Sequence, residues 1–196
     1  AVMGSTNALL HLPAIAKMAG ITITPEDFDR IHRKTPILAS LQLSGKWPSQ
    51  ILWLAGGVPK IMQKLMDHLH LDVMTVTGLT LGENLEKLIS SGEMDRNINY
   101  LKNYGLHPDE VIQNLDNPCS PDGGLAVLKG NLATNGAVVK HAAMDPQMHF
   151  HTGLARTFDS EKDAIEALNQ NRILPGDVMV IRYVGPKAIG MPEMFK

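Results

Sequence analysis

The 196-residue chain has one cysteine, Cys119, so an internal disulfide and any metal cluster held by its cysteines alone are excluded. A lone thiol is more often an inert small hydrophobe than a nucleophile. No apolar run approaches the roughly 20 residues that cross a bilayer, and no signal peptide opens the chain. The expectation is therefore a cytoplasmic protein without membrane contact. Lys and Arg form no long basic tract and the formal net charge is -2, so no nucleic-acid partner is expected. The chain also lacks a GxGxxG dinucleotide fingerprint, a GxxxxGK[ST] phosphate loop and a GxSxG nucleophile elbow. What remains, 44% hydrophobic and 19% charged residues, is the balance of a soluble globular protein with one large domain or two small ones.

The first 90 residues read as mainly helical. Gly4-Ser5-Thr6-Asn7 places three good capping residues before an apolar run at Leu9, Leu10, Leu12, Ile15 and Ala16, and Gly20 supplies a stop, which predicts a helix over 6–19. Thr24-Pro25-Glu26-Asp27 starts a second helix that runs to about Arg33 and ends before Pro36. A third is expected near 59–69, after the breaker Ala55-Gly56-Gly57, and a fourth after Thr80-Leu81-Gly82-Glu83. Residues 91–110 are polar and read as a connection with at most one short helix.

After Val111 the character changes. Gly124–Leu128, Ala137–His141 and Asp177–Tyr183 are Val/Ile-rich runs bounded by breakers, the pattern of strands, with a turn at Thr134-Asn135-Gly136. Ser160-Glu161-Lys162-Asp163 starts an inserted helix over about 160–169. The expected fold class is α/β.

Candidate sites are few. His68 with His70 and His149 with His151 could share a metal, although a histidine at a helix end is also favoured by the dipole. Lys60, Lys129 and Lys140 could meet anions, although solvated lysines are commoner. The helix start at Ser5, Thr6 and Asn7 is either an ordinary cap or an anion site, where unpaired N–H groups favour a carboxylate or phosphate. Glu193, on a backbone stiffened by Pro186 and Pro192, is either a solvated loop acid or a hard oxygen ligand of the kind Mg²⁺ selects.

Several stretches together resemble one family, the dihydroxy-acid and aldonic-acid (6-phosphogluconate-type) dehydratases. They are GSTNALLHL at 4–12, AGGVP at 55–59, TVTGLTLGENL at 75–85, LDNPCSPDGGLAVLKGNLATNGAVVK at 115–140, ARTFDSEKDAIEAL at 155–168 and GDVMVIRYVGPKAIGMPEM at 176–194, in the family's order. The resemblance implies a hydro-lyase that converts a 2,3-dihydroxy carboxylic acid to a 2-keto-3-deoxy acid. An Fe–S cluster on three cysteines and a Mg²⁺ ion then act on the substrate's oxygens, and a serine takes the C2 proton. It makes Glu193 a Mg²⁺ ligand, and Ser5, Thr6 and Asn7, the candidate anion site at the helix start, are expected to bind the substrate.

The family's cluster cysteines and its other Mg²⁺ ligands belong to segments upstream of GSTNA, and its serine base to a GRFSG-like motif downstream of Glu193. Cys119 stands where the family usually has an apolar residue. The chain is thus expected to be the middle third of a homodimeric enzyme, inactive alone. Residues 1–92 would end a large α/β domain, 93–110 would connect, and 111–196 would form part of a smaller β-rich, barrel-like, swivelling domain. The LDNP and IRYVGPK blocks look most like branched-chain members, which serve amino-acid biosynthesis. The STNALLHLPAIA start and HFHTG are nearer to sugar-acid members such as xylonate dehydratases. The reading from another class is a non-catalytic anion-binding or structural module.

Overall fold

In the computed structural model, which describes residues 1–42 and 45–190, the described chain divides into two compact units. One comprises residues 1–6 and 24–143, the other 7–23 and 144–196. Nine α-helices and four strands are assigned among the described residues, compatible with an α/β chain. Those strands form two separate two-stranded sheets.

The first unit opens with α2 (Pro25–His32), entered as expected: the Asp27 carboxylate accepts from the Thr24 backbone N–H at 3.0 Å and from its hydroxyl at 2.9 Å. An extended stretch then pairs Ile37 with Ser120 and Ala39 with Ile112. Helices α3 (Ser49–Leu54) and α4 (Gly57–Lys64) follow, separated by a left-handed Gly56. The helix expected over 59–69 therefore starts earlier and stops at Lys64; a short 3₁₀ turn, Met66–His68, takes its place. Helix α5 (Leu81–Ser90) is closed by a reciprocal Thr80–Glu83 cap. Ahead of it, Asn84 Nδ2 donates to Thr75 Oγ1 at 2.9 Å and to Thr77 Oγ1 at 2.8 Å, tying the TVTG loop to the helix.

The largest departure from expectation lies at 91–110. This segment is mostly helical: α6 (Glu93–Leu101), a 3₁₀ turn (Lys102–Tyr104) and the start of α7 (Pro108–Val111). Its polar composition conceals a stripe at Met94, Ile98 and Leu101, spaced four and three apart. Met94 and Leu101 are buried, with Glu93 and Asp95 at the favourable N-terminal end. The core forms where α6 meets α3, α4 and the extended stretch, around Leu38, Ala39, Leu52, Ala55, Leu101 and Ile112. Lys64, nearly buried, clamps this core's edge: its ammonium donates to Asp109 Oδ1 at 2.6 Å, the Ile112 carbonyl at 2.5 Å and Asn114 Oδ1 at 2.8 Å. The unit closes with an antiparallel pair, β1 (Ala126–Leu128) and β2 (Ala137–Val139), joined through the expected turn at Gly136.

The second unit contains α1 (Ala8–Met18), shorter than the 6–19 expected, and a β-α-β arrangement. Strand β3 (Ala155–Phe158), which sequence patterning did not flag as a strand, runs parallel to β4 (Val178–Ile181), with α8 (Glu161–Asn169) between them in the chain. Ser160 caps α8 by accepting from the Asp163 N–H at 3.1 Å. Strand β4 stops before Tyr183, whose φ of +59° is left-handed. A short helix, α9 (Pro186–Ile189), occupies part of the loop expected there.

Candidate functional site

The Gly4-Ser5-Thr6-Asn7 segment lies where the chain leaves the first unit and enters α1. Asn7 is the helix's N-cap residue, with helical φ and ψ, and its side chain makes no capping hydrogen bond to α1. The helix start thus sits one to two residues later than expected. Glu193 lies outside the described residues.

Within the first unit, Met3 is held against Gly124, and Gly4 lies beside His32 and Leu125. Met3 is buried and left-handed (φ +58°), an unusual conformation for a side chain of its kind. A side-chain carbon on Gly124 would stand 3.5 Å from Met3 Cβ and 2.9 Å from Ala142 Cβ, so glycine is what permits this approach. Gly123 is fixed on both sides: its N–H donates to the His32 carbonyl at 2.6 Å, and its carbonyl is 2.8 Å from His141 Nε2. Asp29, one turn before His32 on α2, accepts from the Val127 N–H at 3.1 Å and from Arg33 Nε at 2.6 Å. The Arg33 and Val127 hydrogen bonds hold the Asp29 carboxyl below the usual aspartate range.

Beside this junction is a cavity of about 240 Å³, apolar at Met3, Ile37 and Ala142 and polar at Ser40, Cys119, Ser120 and His141. Cys119 is an exposed free thiol, yet partial desolvation pushes its pKa up, so the thiol form dominates at neutral pH and favours the inert reading. His32 is shifted the other way: burial of its ring is the first cause that lowers its pKa, which favours the neutral imidazole.

The other candidates are dispersed. His68 ends a 3₁₀ turn, His149 ends another, and His151 Nε2 lies 3.0 Å from the Gly176 carbonyl. Lys60 bonds Gln63, and Lys129 pairs with Glu26 at 2.5 Å. Among the described residues no group of three His, Cys, Asp or Glu side chains is arranged to hold a metal ion. The described residues therefore contain neither a three-cysteine Fe–S site nor a complete Mg²⁺ site.

Comparison with known proteins accounts for the order of these motifs. Residues 1–84 match the N-terminal model, and residues 110–196 the C-terminal model, of the dihydroxy-acid/6-phosphogluconate dehydratases. The chain belongs to that family. Among curated relatives, dihydroxy-acid dehydratases of Methanosarcina barkeri and Acetivibrio thermocellus are 46% and 47% identical to it, over 99% and 97% of its length. The Archaeoglobus fulgidus dihydroxy-acid dehydratase is 44% identical over 98%. The chain spans about a third of the length of these relatives, 33%, 32% and 32% respectively.

The Met3–Gly4 and Gly123–Gly124 junction escaped sequence reasoning. The glycine pair inside LDNPCSPDGGLAVLKG was the available signal, since adjacent glycines mark a close backbone approach.

Proposed function

We propose that the full-length protein is a hydro-lyase that removes water from a 2,3-dihydroxy carboxylic acid to leave a 2-keto-3-deoxy acid. The observation that carries this reading is the ordered match to both domains of one dehydratase family, together with relatives named dihydroxy-acid dehydratase at 44–47% identity across nearly the whole chain. Those names favour a branched-chain dihydroxy acid, and hence amino-acid biosynthesis, over a sugar acid. In this reading Ser5, Thr6 and Asn7 bind the substrate carboxylate through hydroxyl, amide and backbone N–H groups near the start of α1. Glu193 supplies one oxygen to Mg²⁺. The Fe–S cluster draws on cysteines outside this sequence, and no chemical step is assigned to it here.

The reading further takes residues 1–92 as the end of an α/β domain and 111–196 as part of a swivelling, barrel-like one, in a cytoplasmic homodimer. Among the described residues no helix is long and apolar enough to cross a membrane.

The test is turnover by the full-length protein purified without oxygen. Keto-acid release from a branched-chain dihydroxy acid is expected to exceed release from xylonate, and Glu193→Ala is expected to lower kcat at least about a hundredfold. Faster turnover of xylonate would move the substrate to the sugar acids. Full activity of the Glu193 variant would remove that residue from the Mg²⁺ site.

A further inference from the structure

The end of α2 joins two segments that lie far apart in sequence. Gly4 and Gly123 approach the same imidazole from different sides. A side-chain carbon on Gly123 would collide with His32 Nδ1, and one on Gly4 would stand 3.6 Å from His32 Cε1 and 3.8 Å from Nε2. The His32 carbonyl takes the Gly123 N–H, and Asp29 on the same helix takes the Val127 N–H. The ring is thus packed tightly against Gly123, which admits no side chain there, while Gly4 lies beside it at an ordinary van der Waals distance.

Packing alone does not account for a histidine at this place. Its Nδ1 is buried and has no hydrogen-bond partner. An apolar side chain of similar size would fill the gap without leaving a polar atom unsatisfied. A planar five-membered ring is nonetheless flat enough to lie against the Gly123 backbone with Gly4 beside it.

We propose that His32 is a positioning residue: its imidazole, packed against Gly123 and lying beside Gly4, sets where the Gly4-Ser5-Thr6 backbone meets the substrate carboxylate. The inference rests on the assignment of Ser5 and Thr6 to substrate binding. Because the ring touches the residue next to Ser5, a small displacement of the ring moves the binding groups while the reacting atoms keep their own ligands, so binding suffers before chemistry does.

The test uses the full-length protein and two readouts. Gly123→Ala, which drives a methyl group against the ring, is expected to raise KM about tenfold with kcat changed less than about twofold. His32→Ala is expected to raise KM as well, and the double variant to recover part of the Gly123→Ala loss, because the methyl then meets the space the ring left. Independently of turnover, amide hydrogen exchange over residues 3–6 is expected to speed up several-fold in each single variant and less in the double variant.

Unchanged exchange over that stretch overturns the positioning role, whatever the kinetics. Faster exchange with unchanged KM overturns the link to substrate and leaves a structural contact. Faster exchange in a protein that releases no keto acid from any dihydroxy acid overturns the dehydratase reading instead, while the positioning contact stands.

Discussion

The two compact units are held together by different forces. The first buries large side chains outright: Leu38, Leu101, Val111 and Ile112 are essentially inaccessible. In the second, the buried residues among those described are three alanines, Ala16, Ala164 and Ala167. Several of its large apolar groups are exposed, with Phe150 at 93%, Met18 at 89% and Ile15 at 66%, while Phe158, Ile173, Val180 and Ile181 are half-buried. Besides the β3–β4 backbone pairing and the buried alanines of α8, its side-chain ties are polar: Arg156 to Asp177 at 2.9 Å, Arg182 to Asp159, and His151 to the Gly176 carbonyl. Exposed ion pairs contribute little, about 0–1 kcal/mol each, whereas one buried leucine contributes roughly 1.5–3 kcal/mol. The first unit therefore has a core of its own, and the second has a scaffold with its apolar surface uncovered.

This contrast can be broken at graded strengths. The largest effect is expected from Leu101→Ala, which empties the centre of the first unit and lowers unfolding free energy by about 2–5 kcal/mol in urea titration. Next is Lys64→Met, which keeps the stem but leaves the Ile112 carbonyl without its donor; a loss of about 1–3 kcal/mol is expected in the same measurement. The smallest belongs to the second unit. The Leu174 N–H and then Arg156 hold the Asp177 carboxyl below the ordinary aspartate value of 3.8. A carboxylate with a depressed folded pKa stabilises the fold above its unfolded value, and that contribution is lost as pH falls through the folded value. Asp177→Asn is thus expected to lower the melting temperature slightly at pH 7, where the charged carboxylate's contribution is fully present, and to converge on the parent protein as pH falls below about 4. A large loss at neutral pH would show that the polar scaffold matters more than the contrast allows.

The local signals in the sequence carried far. The starts of α2, α5 and α8 were legible because each cap lies within four residues, Thr24 with Asp27, Thr80 with Glu83 and Ser160 with Asp163. Where a signal was weak or non-local, the reading failed. Helix α6 was hidden because three apolar residues among Glu, Asp, Arg and Asn carry its buried face. Strand β3 is four residues long and exists through its pairing with β4, beyond α8, which no short window contains. Ser5, Thr6 and Asn7 are candidates from the helix-start signal, and their substrate-binding role is a proposal. The meeting of His32 with Gly4 and Gly123 could not be read from the sequence, because it depends on packing between segments about 90 residues apart.

The loop ahead of α5 has a practical use. Asn84 reaches back to Thr75, Thr77 and the Leu79 and Thr80 carbonyls, so the loop is knotted by side chains at its base. Its tip, Val76, points wholly into solvent, and Gly78 has open space around it. A knot at the base with nothing resting on the tip is a natural anchorage for a spectroscopic label. A fluorophore or spin probe carried at position 76 would ride on a stiff stalk, and its signal would follow the tumbling of the first unit rather than the flicker of its own tether.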